Sequence, residues 1–418
     1  MKRPASVSLM LLVAVCCIPS SASAQAVETT EGLSLRDTIG QLTQQVGSTP
    51  VGDAMVLATA LEVATSPLGT TSSGFGFELD PNTGLLVRRA TTFGPSFAER
   101  ALTAGADKMA IQVSFSSATY DKLGDVDLDG MRLGALTGDS PETSFTGTTS
   151  LEIESQTLVL GGVMGITENI DVGVAVPLVK VRVQGLTEVV DGDGKFIRDA
   201  VGGGTSSGLG DIAVQAKYRF LRFGNGLPDP GGVALAATVR LPTGSSENLR
   251  GLGLYRALVS VLASAGRGRF RPHANVGFEW WDKGIAAQSG FAPVPDVETG
   301  LEPATSMVTV RHQFQYAAGV EFEAASRLTL LVDFLGRHLL DGGKVGFQAF
   351  TPGDDGQGVT SFESLVALPE GFQKLTLVPG LKWNIKGNLL FSVNALIPVQ
   401  DEGLHDVFTP VVGLDWAF

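Results

Sequence analysis

Most of the chain alternates apolar and polar residues with a period of two. In the segment 374–384, leucines and a tryptophan take alternate positions, with lysine, threonine and asparagine between them. The same period occupies 211–220, 308–321 and 389–397. Alternation held over about ten residues is typical of β-strands long enough to cross a bilayer. From Met109 onward, the sequence therefore predicts a series of such strands.

The connections between these segments alternate in length. Tight turns are predicted at 167–169, 266–268, 325–326 and 386–388, and long acidic loops at 121–147, 184–209, 282–306 and 340–371. Short turns at one end and long loops at the other are typical of outer-membrane barrels. The sequence therefore predicts an all-β protein, an antiparallel transmembrane β-barrel of about twelve strands, within a range of roughly ten to fourteen. It would occupy residues 107–418.

One segment changes phase. Apolar residues take even positions from Ile170 to Val176 and odd positions from Val179 to Val183, with Pro177 between the two runs. Because proline cannot donate to a β-ladder and is tolerated at bulges, this phase change predicts a bulge at Pro177.

A soluble β-sandwich would also alternate. The predicted strands are longer than those of most sandwiches, and aromatic residues cluster near their ends, as interfacial girdles would place them. The polar faces also carry charges of both signs, which a dry sandwich core would not tolerate. In a closed barrel the same residues would line the lumen: Lys217, Arg219, Arg240, Arg256, Arg271, Glu279, Arg311, Glu321, Asp333 and Arg337.

The first part of the chain has a different pattern. Residues 1–24 are typical of an export signal: Lys2 and Arg3, a short apolar run, and a small-residue cleavage site near Ala24. In the segment 25–106, residues 33–46 and 52–65 have helical spacing, and residues 75–89 are predicted to form a hairpin. This segment is too small for a large core of its own, which leaves two alternatives: a plug inside the barrel or a periplasmic extension.

Composition narrows the possible functions. Both cysteines, Cys16 and Cys17, fall within the predicted signal, so the exported chain would have no disulfide and no thiol nucleophile. A lipoprotein is the weaker alternative, because Val15 stands where a small residue is expected. Loss of Lys2 and Arg3 takes the net charge from −13 to −15, which disfavours binding to nucleic acid.

Candidate chemistry is sparse. Asp125, Asp127 and Asp129 resemble the start of a calcium loop, but the twelfth position is Leu136 instead of a bidentate glutamate. They are weak metal candidates, and an acidic surface loop is the better interpretation. The G-x-S-x-G match at 204–208 precedes a strand and lacks the strand–turn–helix context of a nucleophile elbow. The four histidines are isolated. The sequence predicts no catalytic residue, no cofactor and no enzyme.

Two segments resemble a known family. Residues 92–103 (TFGPSFAERALT) and 208–220 (GLGDIAVQAKYRF) resemble recurrent segments of the transporter-like outer-membrane family named after the phenol-degradation meta-pathway. That family is similar to outer-membrane channels for fatty acids and aromatic hydrocarbons. The last strand resembles the assembly signal of such barrels, with Leu414, Trp416 and Phe418 on one face. The resemblance implies uptake of small apolar molecules.

These observations favour a channel or transporter in a bacterial outer membrane for small, hydrophobic or aromatic solutes. A non-selective diffusion porin and a structural or adhesive barrel with acidic surface loops are the alternatives. The expected partners are outer-membrane lipid and lipopolysaccharide, the barrel-assembly machinery and a small-molecule solute, and nucleic acid is not expected.

Overall fold

The computed structural model describes ten stretches of the chain: residues 32–45, 49–69, 77–79, 86–88, 90–138, 140–141, 144–224, 228–291, 304–350 and 359–418. The predicted signal and its cleavage site lie outside these residues. Two helices come first, α1 (Leu35–Gln44) and α2 (Thr49–Thr65). Neither helix in the described part of the chain has the length and hydropathy needed to span a membrane.

Within the ten described stretches, twenty-one strands follow the helices. They are β1 (Phe77–Leu79), β2 (Leu86–Arg88), β3 (Met109–Tyr120), β4 (Lys122–Leu123), β5 (Val126–Asp127), β6 (Met131–Gly138), β7 (Phe145–Gly165), β8 (Ile170–Asp191), β9 (Phe196–Leu209), β10 (Ala213–Arg222), β11 (Gly231–Arg240), β12 (Arg256–Ala265), β13 (Phe270–Trp281), β14 (Ile285–Phe291), β15 (Ala304–Ala325), β16 (Leu328–Phe350), β17 (Val359–Glu370), β18 (Gln373–Lys386), β19 (Leu389–Pro398), β20 (Leu404–His405) and β21 (Thr409–Ala417).

Twelve of these strands form a closed antiparallel ring. Its order is β3, β7, β8, β10, β11, β12, β13, β15, β16, β18, β19 and β21, and β21 pairs back with β3. Closure leaves this ring without an open edge, so its backbone N–H and C=O groups are paired between neighbours. The predicted twelve-stranded barrel is confirmed, and so are the helices ahead of it. The small hairpin is also formed, as β1 pairs with β2.

The two ends of the ring differ. The predicted tight turns join β7 to β8, β12 to β13, β15 to β16 and β18 to β19, all at one end, here called the short-turn end. At the other end, here called the long-loop end, much of the chain predicted as loop is strand. There β9 pairs with the second half of β8, and β14 pairs with the first residues of β15. Between β7 and β16, the strands β6 and β17 pair with each other.

The predicted bulge at Pro177 is wrong. The pairing of β7 with β8 runs without a register shift, and Pro177 lies opposite Val159. The apolar residues change face because their surroundings change along an unbroken strand. Val172 and Val174 point outward and are exposed, whereas Val181 is completely buried on the inward face. The phase change therefore marks a level along β8. Before it the outward residues are apolar, and after it the inward residues are apolar and cover the helices.

A different residue interrupts the alternation. His312 in β15 has a φ of 55°, the left-handed region that non-glycine residues rarely adopt. On one side of it Val310 points inward, and on the other side Gln313 does. The apolar residues predicted to share one face over 308–321 therefore lie on the inward face before His312 and on the outward face after it.

The two helices lie within the long-loop end. α1 begins at the N-cap Ser34, whose hydroxyl accepts a hydrogen bond from the Asp37 backbone N–H. Its apolar residues recur at helical spacing on the face that packs against β8 and β9. α2 is buried around most of its circumference, between β14, β16 and β17. Both helices share one core cluster with the inward residues of those strands.

Candidate functional site

The segment 92–104 lies across the inside of the barrel near the short-turn end. At its start, the Gly94 backbone N–H donates to a carboxylate oxygen of Glu321 in β15 at 2.9 Å. At its end, the Ala104 N–H donates to Asp171 in β8 at 2.9 Å. Since β15 and β8 stand five strands apart in a ring of twelve, the segment crosses the lumen from one wall to the other.

Two charged side chains of this segment also reach the wall. Arg100 lies 3.9 Å from Glu321, and both are almost completely buried. Lys217 of β10 lies 3.6 Å from Glu99 and 3.7 Å from Asp171. Each of these charges therefore has an opposite charge within 4 Å, which offsets part of the cost of burying it.

His273 of β13 extends this network along the wall. Its Nε2 lies 2.8 Å from Asp333, and its Nδ1 lies 3.7 Å from Glu321. All three side chains are buried. The carboxylate that contacts Arg100 is therefore also close to a titratable ring.

Two arginines lie deeper, at the short-turn end. Arg219 pairs with Asp229 at 2.7 Å, and Arg271 donates to the Asp229 carbonyl oxygen at 2.8 Å. These contacts connect β10 and β13 to the turn that precedes β11.

The helices are fixed to the wall at the other end. Glu62 of α2 lies 2.6 Å from both Arg337 of β16 and Lys374 of β18. Arg256 of β12 donates to the Ala64 carbonyl oxygen at 3.0 Å, near the C-terminus of α2, where a cation is favourable. Burial alone would raise the pKa of Glu62, but the charges of Lys374 and Arg337 outweigh burial and lower that pKa.

A chamber of about 220 Å³ lies between these two parts of the N-terminal segment. Residues from Glu62 to Gly69 and residues from Phe97 to Glu99 both border it, and Gly69 approaches the Ser96 carbonyl oxygen. The side wall comes from the strands β8, β10–β13, β15, β16 and β18. The N-terminal segment therefore occupies much of the lumen and leaves this space beside it.

The structure places the ten predicted lumen residues as follows. Seven are buried, namely Lys217, Arg219, Arg256, Arg271, Glu279, Glu321 and Asp333, and Arg240 and Arg337 are half-buried and line the chamber. Arg311 is exposed. It stands next to His312, and because Val310 points inward, Arg311 lies on the opposite face of β15.

Several residues that fix the segment were missed by sequence reasoning. Lys374 and Lys382 lie on the polar face of β18, and Lys382 donates to the Pro95 carbonyl oxygen at 2.7 Å. The alternation of that strand was the available signal. Glu62, Glu99 and Arg100 lie in the N-terminal segment, where no alternation marks a contact with the wall.

The other candidate sites are placed away from the lumen network. Asp127 pairs with Lys122 at 3.6 Å, and Asp129 accepts a hydrogen bond from Ser150 at 2.6 Å. Within the described stretches, no group of three acidic or histidine side chains is arranged to hold a metal ion. The G-x-S-x-G match at 204–208 lies within the strand β9 and forms no elbow.

The outside of the ring is apolar. On β3, Ile111, Val113 and Phe115 are exposed while the residues between them point inward. The outward residues of β8 from Ile170 to Leu178 are likewise aliphatic, over a length typical of a transmembrane strand. A continuous exposed apolar belt of this extent is stable only in a lipid environment. The chain is a transmembrane β-barrel.

Aromatic rings mark both edges of this barrel's belt. Near the long-loop end, the His312 ring is stacked on Trp280 at a centroid distance of 6.3 Å, and Phe278 lies 5.1 Å from Phe314. At the short-turn end, the rings of Trp416 and Phe418 lie 4.7 Å apart. Such girdles are typical of the two membrane–water interfaces of outer-membrane barrels.

Comparison with known proteins found similarity in solved structures only. The sequence matches no protein-family profile and no curated protein. An outer-membrane channel from Pseudomonas putida F1 is similar at a TM-score of 0.45 and 10% identity, over 76% of this chain and 98% of that one. The translocator domain of the autotransporter NalP from Neisseria meningitidis gives 0.36 and 10%, over 75% and 89%. The toluene transporter TbuX from Ralstonia pickettii gives 0.33 and 10%, over 75% and 90%.

Proposed function

We propose that this barrel is an outer-membrane channel for small hydrophobic or aromatic solutes, and that its N-terminal segment closes the lumen until a solute passes. The observation that carries the proposal is the chamber bordered by the C-terminus of α2 and by the segment 92–104. In this proposal a solute passes through the chamber, and both the helices and the segment 92–104 stand in its path.

The contacts of the segment 92–104 support a closure that moves. Its hydrogen bonds to the wall at Gly94 and Ala104 come from side chains of the barrel and not from strand pairing. The segment is therefore bound by side-chain contacts, both polar and apolar, which can break without opening the ring itself. The same contacts make a permanently open diffusion pore the weaker alternative.

The chamber wall supports a solute with an apolar body. Leucines of β12 and β16, Phe97 and several alanines line it, together with amide and hydroxyl side chains. Mixed walls of this kind are typical of small-molecule sites, in which apolar area contributes affinity and a few polar groups fix orientation.

Liposome swelling tests this proposal. The purified full chain in liposomes is compared for sodium chloride, a neutral sugar and an aromatic acid of similar size. We expect the aromatic acid to enter faster than the sugar and to saturate, with little steady ion conductance. Rates that follow solute size alone, together with large steady conductance, would identify a diffusion porin instead. Entry of none of the three would favour the structural or adhesive alternative.

A further inference from the structure

The chamber has one cationic side chain whose charge is poorly matched by its neighbours. Arg240, at the end of β11, lines the chamber, and its side chain is 15% exposed. Its one ion contact among the described residues is with Glu279, at 3.9 Å from Nε to Oε1. The other oxygen of Glu279 already accepts hydrogen bonds from Trp281 and Gln313. Arg240 therefore lines the chamber and makes a single, long ion contact among the described residues.

Two amide side chains of the wall are hydrogen-bonded to other parts of the protein. Gln215 donates to Thr238 at 3.0 Å. Asn275 donates to the Glu99 carbonyl oxygen at 2.8 Å and accepts from the Glu99 backbone N–H at 3.2 Å. These amides fix the wall and the segment to each other. They are therefore less available than Arg240 to bind a molecule in the chamber.

The two remaining cations share the Glu62 carboxylate. Arg337 and Lys374 both lie 2.6 Å from Glu62, and the Asp406 carboxylate is also near Lys374. Arg240, Arg337 and Lys374 all line the chamber. An anion placed beside them would be attracted, because charge interactions inside a protein are stronger than in solution.

Below Arg240 the wall is formed by small side chains and by leucines. The inward position two residues before it on β11 is Thr238, and the one before that is Ala236, which pairs with Ser260 of β12. Leu258 and Leu262 stand on either side of Ser260 along β12 and also line the chamber. A guanidinium at one end and a shallow apolar recess beneath it form a site with two chemically distinct halves.

We infer that the chamber binds a small monocarboxylate with an apolar body. Its carboxylate would lie on Arg240, where a planar guanidinium can donate two parallel hydrogen bonds, and its body would lie against Leu258 and Leu262. The inference rests on the proposed channel function and narrows its solute from apolar molecules in general to organic acid anions. The chamber volume of about 220 Å³ limits the ligand to a small molecule.

Binding to the purified full chain in detergent tests the inference, with isothermal titration calorimetry as the readout. The probes are benzoate and benzyl alcohol, which have the same ring and differ in charge. We expect benzoate to bind at least about tenfold more tightly than benzyl alcohol, and Arg240→Gln to weaken benzoate by at least about tenfold, since a hydrogen-bonded ion pair is lost. Arg240→Lys should retain part of the affinity.

Two further variants fix the location of the site. Ala236→Leu, which fills the recess, should weaken benzoate binding without removing a charge. Arg182→Gln removes a cation from the outer face of β8, where it pairs with Glu154 at 3.6 Å, and should leave binding unchanged. Circular dichroism would verify that each variant is folded.

Three results would overturn the inference: equal affinity for benzoate and benzyl alcohol, unchanged benzoate affinity in folded Arg240→Gln, or no binding of benzoate by the wild-type chain. Because calorimetry measures binding and not passage, its outcome is separate from that of liposome swelling. A barrel that binds benzoate through Arg240 yet admits no solute would contradict the channel and leave the site standing. A barrel that admits neutral aromatics and does not bind benzoate would support the channel and contradict the carboxylate site.

Discussion

Arg100 and Glu321 lie 3.9 Å apart with their side chains 3% and 1% exposed, and this pair joins the N-terminal segment to the barrel wall. Glu321 also accepts a hydrogen bond from the Gly94 N–H, so this carboxylate holds the segment by two contacts, and His273 Nδ1 lies 3.7 Å from it. Removing one partner of a buried pair leaves the other charge uncompensated, which costs far more than breaking a surface pair.

Glu321→Gln is therefore predicted to loosen the segment 92–104. It keeps the size of the side chain but removes the negative charge that lies 3.9 Å from the buried Arg100 guanidinium. We expect a loss of about 3 kcal/mol in the local stability of the segment. Amide hydrogen exchange within 93–104 should then rise by roughly a hundredfold, as measured by mass spectrometry.

The matched control is Glu363→Gln. Glu363 pairs with Arg132 at 2.7 Å, but both side chains are more than a third exposed. Surface pairs of this kind contribute about 0–1 kcal/mol. Exchange within 93–104 should stay at the wild-type rate in this variant, and equal effects of the two substitutions would contradict the role given to Glu321.

Acid is predicted to release α2 through Glu62. The pKa of Glu62 lies below its ordinary value of 4.5, so its carboxylate stabilises the docked helix above that value. The contribution is lost as the pH falls through the lowered pKa, because the protonated group no longer attracts Lys374 and Arg337. Hydrogen exchange in 49–69, corrected for the intrinsic rate at each pH, should therefore accelerate below pH 4.5.

Glu62→Gln identifies the responsible group. In this variant the protection of α2 should already be lower at neutral pH and should change less on acidification. If the variant shows the same acid dependence as the wild-type chain, other groups release the helix.

The helix α1 packs closely against β9 at two glycines of that strand. A Cβ at Gly204 would stand 3.0 Å from the Leu35 side chain, and one at Gly202 would stand 3.4 Å from Leu42. Gly204→Val is predicted to push the helix off the strand and to increase exchange in 35–44. Adding Leu35→Ala should restore part of the protection, because it removes the side chain that the valine meets. A double variant no better protected than Gly204→Val would contradict this packing.

The apolar belt makes a prediction for folding into lipid. Val113 points outward near the middle of β3, and Val113→Arg should destabilise the folded barrel by roughly 2–4 kcal/mol. Gln156→Arg, at an outward position of β7 above the belt, should cost much less. Urea titration of folding into lipid vesicles measures both values, and similar costs would place the belt at a different height.

The ring of strands was predictable because the membrane imposes a strict rule on each residue. An outward position in the belt has to be apolar and an inward one can be polar, so period two survives along β10, β18 and β19. The same rule explains the error at Pro177. Beyond the belt the outside is water and the inside is the helix core, so the alternation inverts without any change in the backbone.

The path of the N-terminal segment was not predictable in the same way. Its contacts join residues far apart in sequence, such as Glu62 with Lys374 and Arg100 with Glu321, and no local pattern encodes such pairs. The position of Arg311 depends on the backbone conformation of a single residue, His312. The chamber itself results from small side chains on several strands, whose alignment depends on strand stagger around the ring.

A disulfide between the segment and the wall tests most directly whether the segment has to move for solute to pass. The Ala101 N–H donates to the Ser264 hydroxyl at 3.2 Å, and both residues are small and buried, so Ala101→Cys with Ser264→Cys introduces one thiol on each side of this contact. The sequence's cysteines are Cys16 and Cys17, so the described residues offer no competing thiol. Benzoate-driven swelling of liposomes is measured for the oxidised and the reduced double variant, with the wild-type chain and each single variant as controls. Oxidation is predicted to abolish swelling in the double variant alone, and reduction to restore it, whereas equal swelling of the oxidised and reduced forms would contradict a closure that moves.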